Sequence, residues 1–258
     1  MAEEHYFTRT GTDTYAPTIN CEGAWSPEDY HFAALAGLVV HVAERCRPEG
    51  DTKKLARVSY DILGRLPLEE ARVSVETLRP GKKIELVEVT VELAGRPAVV
   101  ARIWYLAPQD TADVADPAAQ TFPLPDECDD QRFSDTWDGG YIRQLTGRKV
   151  TGLPEGEFFA WFTSPTRIVD ADERIALAEY FSRIDTANGV TAKRSPREWA
   201  FPNVDLTVHM YRHPEGEWTG LEASNRWGPA GAGVTSTTLH DLRGPLGRVE
   251  QMQALAKL

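Results

Sequence analysis

His31-Phe32-Ala33-Ala34-Leu35-Ala36-Gly37-Leu38-Val39-Val40 is apolar on almost every side of a helical wheel. A helix on a surface keeps a polar stripe towards water, so this one is expected to be wrapped by other elements. Its start reads as Ser26-Pro27-Glu28-Asp29. There Ser26 can cap, Pro27 fits the first turn, and the acids favour the positive end. A second helix is expected from Asp170, with Glu173 three residues on in capping-box spacing. It runs through Ile175-Ala176-Leu177-Ala178 to Asp185 and ends at Asn188-Gly189, a common C-terminal signal.

After each helix the period changes from helical to alternating. Val87, Val89, Val91 and Leu93 alternate with polar or smaller residues, and Gly95-Arg96-Pro97 turns the chain into Ala98–Tyr105. Val204, Leu206, Val208 and Met210 alternate with Asp205, Thr207, His209 and Tyr211. Trp218–Ser224, Val234–Leu239 and Arg248–Leu255 are further strands, separated by Gly- and Pro-rich turns. Two segments, Ile62-Leu-Gly-Arg-Leu-Pro67 and Met210-Tyr-Arg-His-Pro214, end comparable strands, and three strands follow each. The chain therefore reads as a duplicated unit: one buried helix, then an antiparallel sheet curled around it. Pro108 to Gln131 is rich in Asp, Ala and Pro without apolar periodicity, which reads as a surface linker. The expected division is residues 1–107, a linker over 108–136, and residues 137–258 carrying the chemistry.

Composition bounds the functions. The 258 residues are 41% hydrophobic and 26% charged, which argues against wholesale disorder. A formal net charge of -11 makes nucleic acid a poor partner. The start, Met-Ala-Glu-Glu-His-Tyr, resembles no secretion signal, and no apolar run reaches the length that spans a bilayer. Cys21, Cys46 and Cys128 form neither a disulfide framework nor a paired zinc pattern, and the six histidines show no ligand spacing. The expectation is a soluble cytoplasmic protein with no metal and no cofactor. His41, inside the apolar helix, is expected to be a satisfied core residue. Gly228-Pro-Ala-Gly-Ala-Gly233 lacks the Lys-Ser/Thr of a phosphate loop and reads as a hairpin turn.

The chemistry is sought between Arg183 and Thr207. Asp185 falls at the C-terminal end of the second helix, against the negative pole of the peptide dipoles, which disfavours its ionised form. Asn203 stands at the start of the strand that follows. The bland alternatives are a surface acid paired with Arg183 and a turn residue after Pro202.

Asp185-Thr-Ala-Asn-Gly at a helix end, Phe201-Pro-Asn-Val-Asp-Leu-Thr, and Gly247-Arg-Val-Glu-Gln251 in the last strand together resemble the bacterial acyl-CoA thioesterase II family. The resemblance implies an α+β double hot dog fold: two tandem units, each an antiparallel sheet wrapped around a long helix. It also implies hydrolysis of acyl thioesters, with acyl-CoA as substrate, in lipid metabolism. In that family an acid, a hydroxyl residue and a glutamine hold the attacking water. Carried over by position they fall on Asp185, Asn203 and Gln251, so an amide replaces the hydroxyl. A thioester expels a thiolate whose conjugate acid has a pKa of about 8.5, so little acid assistance is required. The Gly-x-Ser-x-Gly elbow of serine hydrolases is absent.

The remaining expectations concern the surroundings. Aligning the two helices puts Ala43 opposite Asp185, so the first half reads as catalytically blank, with Glu44 facing solvent. Lys193, Arg194 and Arg197 lie between the acid and the strand, where they meet coenzyme A phosphates or are merely solvated. Trp199 and Trp227 flank the site in sequence. Two alternatives stay open. An enoyl-thioester hydratase or dehydratase of the same fold needs a His–Asp pair, and Asp205 with His209 is the nearest approach. A non-catalytic protein that binds acyl chains is the other. Sheets of this kind also leave edges at which copies could pair into a homo-oligomer.

Overall fold

The computed structural model describes residues 4–117, 119–153, 157–170 and 172–258. Residues 1–3 of the leader reading and residue 118 of the linker reading lie outside the described residues.

The apolar segment is a helix over Phe32–Arg45, and every residue from Phe32 to Ala43 is buried. It begins later than Ser26 suggested. The Ser26 hydroxyl accepts from the Glu28 N–H at 3.1 Å, and the Gly23 N–H donates to the Asp29 carbonyl at 2.7 Å. These bonds close a turn whose next residues pair outward, Asp29 with Pro67 and Tyr30 with Glu22. Strand-like pairing thus overrides a local cap signal. The cap is His31, whose Nδ1 accepts the Ala33 N–H at 3.3 Å.

The second helix is Ala176–Ile184, also shorter at its start than the acids implied. Asp170 follows the strand Arg167–Val169 and accepts the Arg9 N–H at 3.1 Å. Asp172 takes His41 Nε2 at 3.0 Å and Arg45 at 2.7 Å, while Glu173 is exposed. Acids that resembled a capping box therefore tie the two halves of the chain together. Asn188-Gly189 does not stop the chain either: after Asp185 and Thr186 a short helix forms over Ala187–Val190.

The alternating segments are strands. Lys54–Ile62 is followed by Ala71–Arg79, Ile84–Leu93 and Arg96–Leu106. Asp205–Met210 is followed by Thr219–Trp227, Ala232–Asp241 and Gly244–Ala254. In each half the first strand lies beside the last, and the two first strands pair antiparallel, with Thr207 opposite Ser59. Among the described residues one 14-stranded sheet results, with the junction at its middle. Alternation decides what faces inward: Val87, Val89, Val91 and Leu93 are buried, as are Leu206, Val208 and Met210.

Both helices lie within this sheet and pack on each other. At Gly37 they approach so closely that an added Cβ would stand 2.8 Å from Ser182 Cβ and 3.1 Å from the Ala178 carbonyl. The architecture is the double hot dog, an α+β fold. From Gln120 onward the expected linker is tied to the C-terminal sheet. The Gln120 amide donates to the Asp241 carbonyl at 3.0 Å, Phe122 stacks on Phe159, and Trp161 Nε1 donates to the Pro123 carbonyl. The Gly228–Gly233 turn closes with the Gly228 N–H on the Ala232 carbonyl. Cys46 and Cys128 are in no disulfide among the described residues, and among these no helix is long and apolar enough to cross a membrane.

Candidate active site

Asp185 caps the C-terminus of Ala176–Ile184 and is 5% exposed. Three bonds hold the helix that presents it. Tyr141 OH donates to the Ser182 carbonyl at 2.7 Å, Tyr180 OH to the His240 carbonyl at 3.0 Å, and Arg183 Nε to Thr219 Oγ1 at 2.9 Å. Arg183 is thus spent on Thr219, and the bland reading of an Arg183–Asp185 ion pair does not hold. Burial is the main force on the carboxyl and pushes its pKa up to about 6, against hydrogen bonds from Asn203 and Gln251 that lower it. Desolvation, more than the helix terminus, perturbs this acid.

Asp185, Asn203 and Gln251 come together. Asn203 Nδ2 donates to Asp185 Oδ1 at 2.7 Å, and Gln251 Nε2 donates to the same oxygen at 3.2 Å and to the Asp185 carbonyl at 3.3 Å. Asn188 Nδ2 donates in turn to Asn203 Oδ1 at 2.9 Å. This last bond fixes the orientation of the Asn203 amide, since a flip would set its carbonyl against the carboxylate. An amide so placed accepts on one side and donates on the other, as a hydroxyl can. Asp185 Oδ2 lies 3.5 Å from His31 Nδ1 and accepts no hydrogen bond from the described residues.

His31 belongs to the other half of the chain. Its ring stacks on Tyr141 with centroids 3.9 Å apart, and burial lowers its pKa to about 3. The imidazole is neutral at ordinary pH, so the contact with Asp185 is not an ion pair. His31 and Asn188 line two neighbouring spaces. One is an outer cleft onto which Asp185 and Asn203 open, between Ile62, Arg65 and Pro202. The other is a narrow apolar cavity walled by Trp25, Phe133, Trp137, Phe162 and Phe201. Beyond Phe133 and Trp137 lies a wider groove carrying Lys149, Lys193 and Arg194. Lys193 and Arg194 are exposed and make no ion pair among the described residues, and Arg197 does not line this groove.

A family model of the acyl-CoA thioesterase C-terminal domain matches residues 108–255, and one of the acyl-CoA thioesterase N-terminal domain matches residues 22–106. The chain belongs to this family. Comparison with curated proteins gives no match. Among solved structures the thioesterase is similar in fold to the acyl-CoA thioesterase II TesB2 of Mycobacterium marinum. That likeness has 15% identity, a TM-score of 0.70, and covers 98% of this chain and 96% of the other. It is similar to the tesB protein of Mycobacterium avium subs paratuberculosis at 13% identity and TM-score 0.72, covering 97% and 96%. A hot dog protein of Alicyclobacillus acidocaldarius gives 13% identity and TM-score 0.75, covering 97% and 95%.

Two side chains of this candidate site escaped the sequence reading. Asn188 looked like a helix stop, yet its side chain buttresses Asn203. His31 sits at the edge of the apolar run, where a cap would be sought, but nothing in the sequence couples it to Asp185. The first half thus places His31 beside Asp185, at 3.5 Å. Glu44, expected in solvent, is half-buried. Asp205 and His209 form no pair: Asp205 Oδ1 accepts the Met252 N–H at 2.8 Å and His209 is exposed. Of the tryptophans, Trp25 and Trp137 wall the cavity rather than Trp199 and Trp227. Among the described residues no cluster of His, Cys, Asp and Glu could hold a metal.

Proposed function

We propose that this thioesterase hydrolyses acyl-CoA to free acid and coenzyme A with a water activated by Asp185. The observation that carries the reading is the division of labour in one buried carboxylate. Oδ1 is occupied by Asn203 and Gln251, Oδ2 accepts no hydrogen bond from the described residues, and Asp185 lines the outer cleft. A carboxylate with a pKa near 6 is ionised at neutral pH and basic enough to take a proton from water. The water oxygen bonds to the thioester carbon while its proton passes to Oδ2. The tetrahedral intermediate then collapses, the C–S bond breaks, and the proton leaves with the thiol.

The basic groove supports a coenzyme A carrier. Lys149, Lys193 and Arg194 meet the phosphates, and the pantetheine arm runs past Phe133 and Trp137 towards Asp185. The acyl chain then lies in the outer cleft. The thiols of Cys46 and Cys128, in no disulfide among the described residues, fit a reducing, cytoplasmic compartment.

The test is thiol release from acyl-CoAs of graded chain length, by the parent and by Asp185→Asn. Release by the parent that falls at least a thousandfold in Asp185→Asn is expected. Undiminished release in the variant sinks the assignment, and no release at any length points to an acyl-binding protein.

A second reading rests on the His31–Asp185 contact at 3.5 Å. Hydration of an enoyl thioester uses such a pair, one group to deliver water and one to protonate carbon. Water addition to an enoyl-CoA that is abolished in His31→Phe, with no thiol release, would establish it.

A further inference from the structure

The site described so far lacks a donor for the oxyanion. Attack on a thioester carbonyl leaves a negative oxygen, and fixed N–H groups aimed at it commonly contribute the largest share of the acceleration. Asn203 and Gln251 are the nearest side-chain amides, but the geometry turns both towards Asp185. The Asn203 amide points its Nδ2 at Asp185 Oδ1. Gln251 spends Nε2 on Asp185 Oδ1 and on the Asp185 carbonyl. Both amides hold the base: Gln251 has both of its N–H groups on Asp185, and Asn203 has one of its two there.

His31 has what they lack. Its Nδ1 lone pair accepts the Ala33 N–H at 3.3 Å, which puts the proton of the neutral ring on Nε2. Among the described residues only Nδ1 of this ring makes a hydrogen bond, and the ring lines both the outer cleft and the apolar cavity. The ring is also rigid. It is held by the cap bond at one edge and by the stack on Tyr141 across its face. Its other nitrogen stands 3.5 Å from Asp185 Oδ2, so a carbonyl attacked by water on Oδ2 lies within reach of the ring.

We infer that His31 is a catalytic residue of this thioesterase, donating its Nε2–H to the thioester oxygen as negative charge develops there. The inference rests on Asp185 as the base. No proton leaves His31 in this step: the hydrogen bond shortens as the carbonyl becomes an oxyanion and relaxes when the thiolate departs. Burial keeps the ring neutral, and a neutral imidazole serves as donor at all pH values where Asp185 is ionised. The N-terminal unit then supplies the electrophilic half of the site and the C-terminal unit the basic half. A single unit would be incomplete.

Two variants separate this role from the helix cap. His31→Asn keeps a short side-chain acceptor for the Ala33 N–H but no longer reaches the cleft. His31→Phe keeps the ring on Tyr141 but has neither nitrogen. In an acyl-CoA thiol-release assay, both are expected to lose about 10²–10³-fold in kcat, with KM changed less than about threefold. A second readout isolates the oxyanion. A trifluoromethyl-ketone analogue of acyl-CoA adds water to form a tetrahedral hydrate whose oxygen stands where the oxyanion would form, whereas the matching thioether, without a carbonyl, does not. His31→Asn is expected to weaken the ketone at least tenfold and leave the thioether unchanged. Parent-like kcat and ketone affinity in His31→Asn would overturn the proposal, leaving backbone N–H groups as the donors. Asp185→Asn in the same assay keeps the two readings apart. Undiminished release there sinks the base assignment, while its loss beside active His31 variants sinks only the role of His31.

Discussion

Removing the charge of Asp185 should stabilise this protein while abolishing its chemistry. The carboxyl is buried, and its pKa is raised from 3.8 to about 6 in the folded state. A shift of this size corresponds to about 3 kcal/mol of preference for the neutral form. The folded pKa exceeds the unfolded one, so folding is favoured most where the group is protonated. The benefit is complete below pH 3.8 and fades as pH rises through about 6. Above that the folded state carries the whole cost of a buried anion. Asp185→Asn keeps an oxygen that can accept from Asn203 and Gln251, so the two amides stay satisfied. The variant is expected to match the parent near pH 4 and to exceed it by about 3 kcal/mol at pH 8. In a chain of this size that is roughly 6–12 °C in Tm. Thermal unfolding followed across pH 4 to 8 measures the difference. A gap that fails to widen with pH, or a variant less stable at pH 8, would refute the claim that desolvation sets this pKa.

Three further outcomes follow from the same geometry. Hydrolysis should fall as pH drops through about 6, and Asn203→Ala should move that acid limb upward by about one unit, because it removes a donor that favours the carboxylate; a limb displaced downward contradicts the network. Gly37→Ala should destabilise the fold by about 1–3 kcal/mol despite better helix propensity, since the new methyl meets Ser182 and the Ala178 carbonyl; unfolding midpoints decide it. Lys193→Ala combined with Arg194→Ala should raise KM for acyl-CoA several-fold and leave acyl-pantetheine unaffected. Equal effects on both substrates would remove the phosphates from the groove.

Much of the fold could be read before any coordinate. Ten residues around Gly37 with no polar stripe demanded burial on all sides. Strict alternation at Val87–Leu93 and Leu206–Met210 demanded strands with one inward face. Helix starts were less legible, and the reason is physical. Ser26-Pro27-Glu28-Asp29 and Asp170–Glu173 carry the composition of caps, but Asp29 pairs with Pro67, and Asp172 binds His41 and Arg45. Partners distant in sequence outbid local preference.

The site divides along the same line. Asp185 stood out at the end of a helix and Asn203 at the start of a strand, while Gln251, inside the last strand, was reached only through the family resemblance. What those residues do to one another was not visible. Only the tertiary structure buries Asp185 deeply enough to raise its pKa, turns the Asn203 amide by way of Asn188, and directs Arg183 to Thr219. Only the pairing of the two units brings His31 to within 3.5 Å of Asp185 Oδ2. Periodicity is a property of neighbours along the chain. Desolvation and cross-unit contact depend on what the rest of the chain places around a residue, and no local stretch of sequence carries that information.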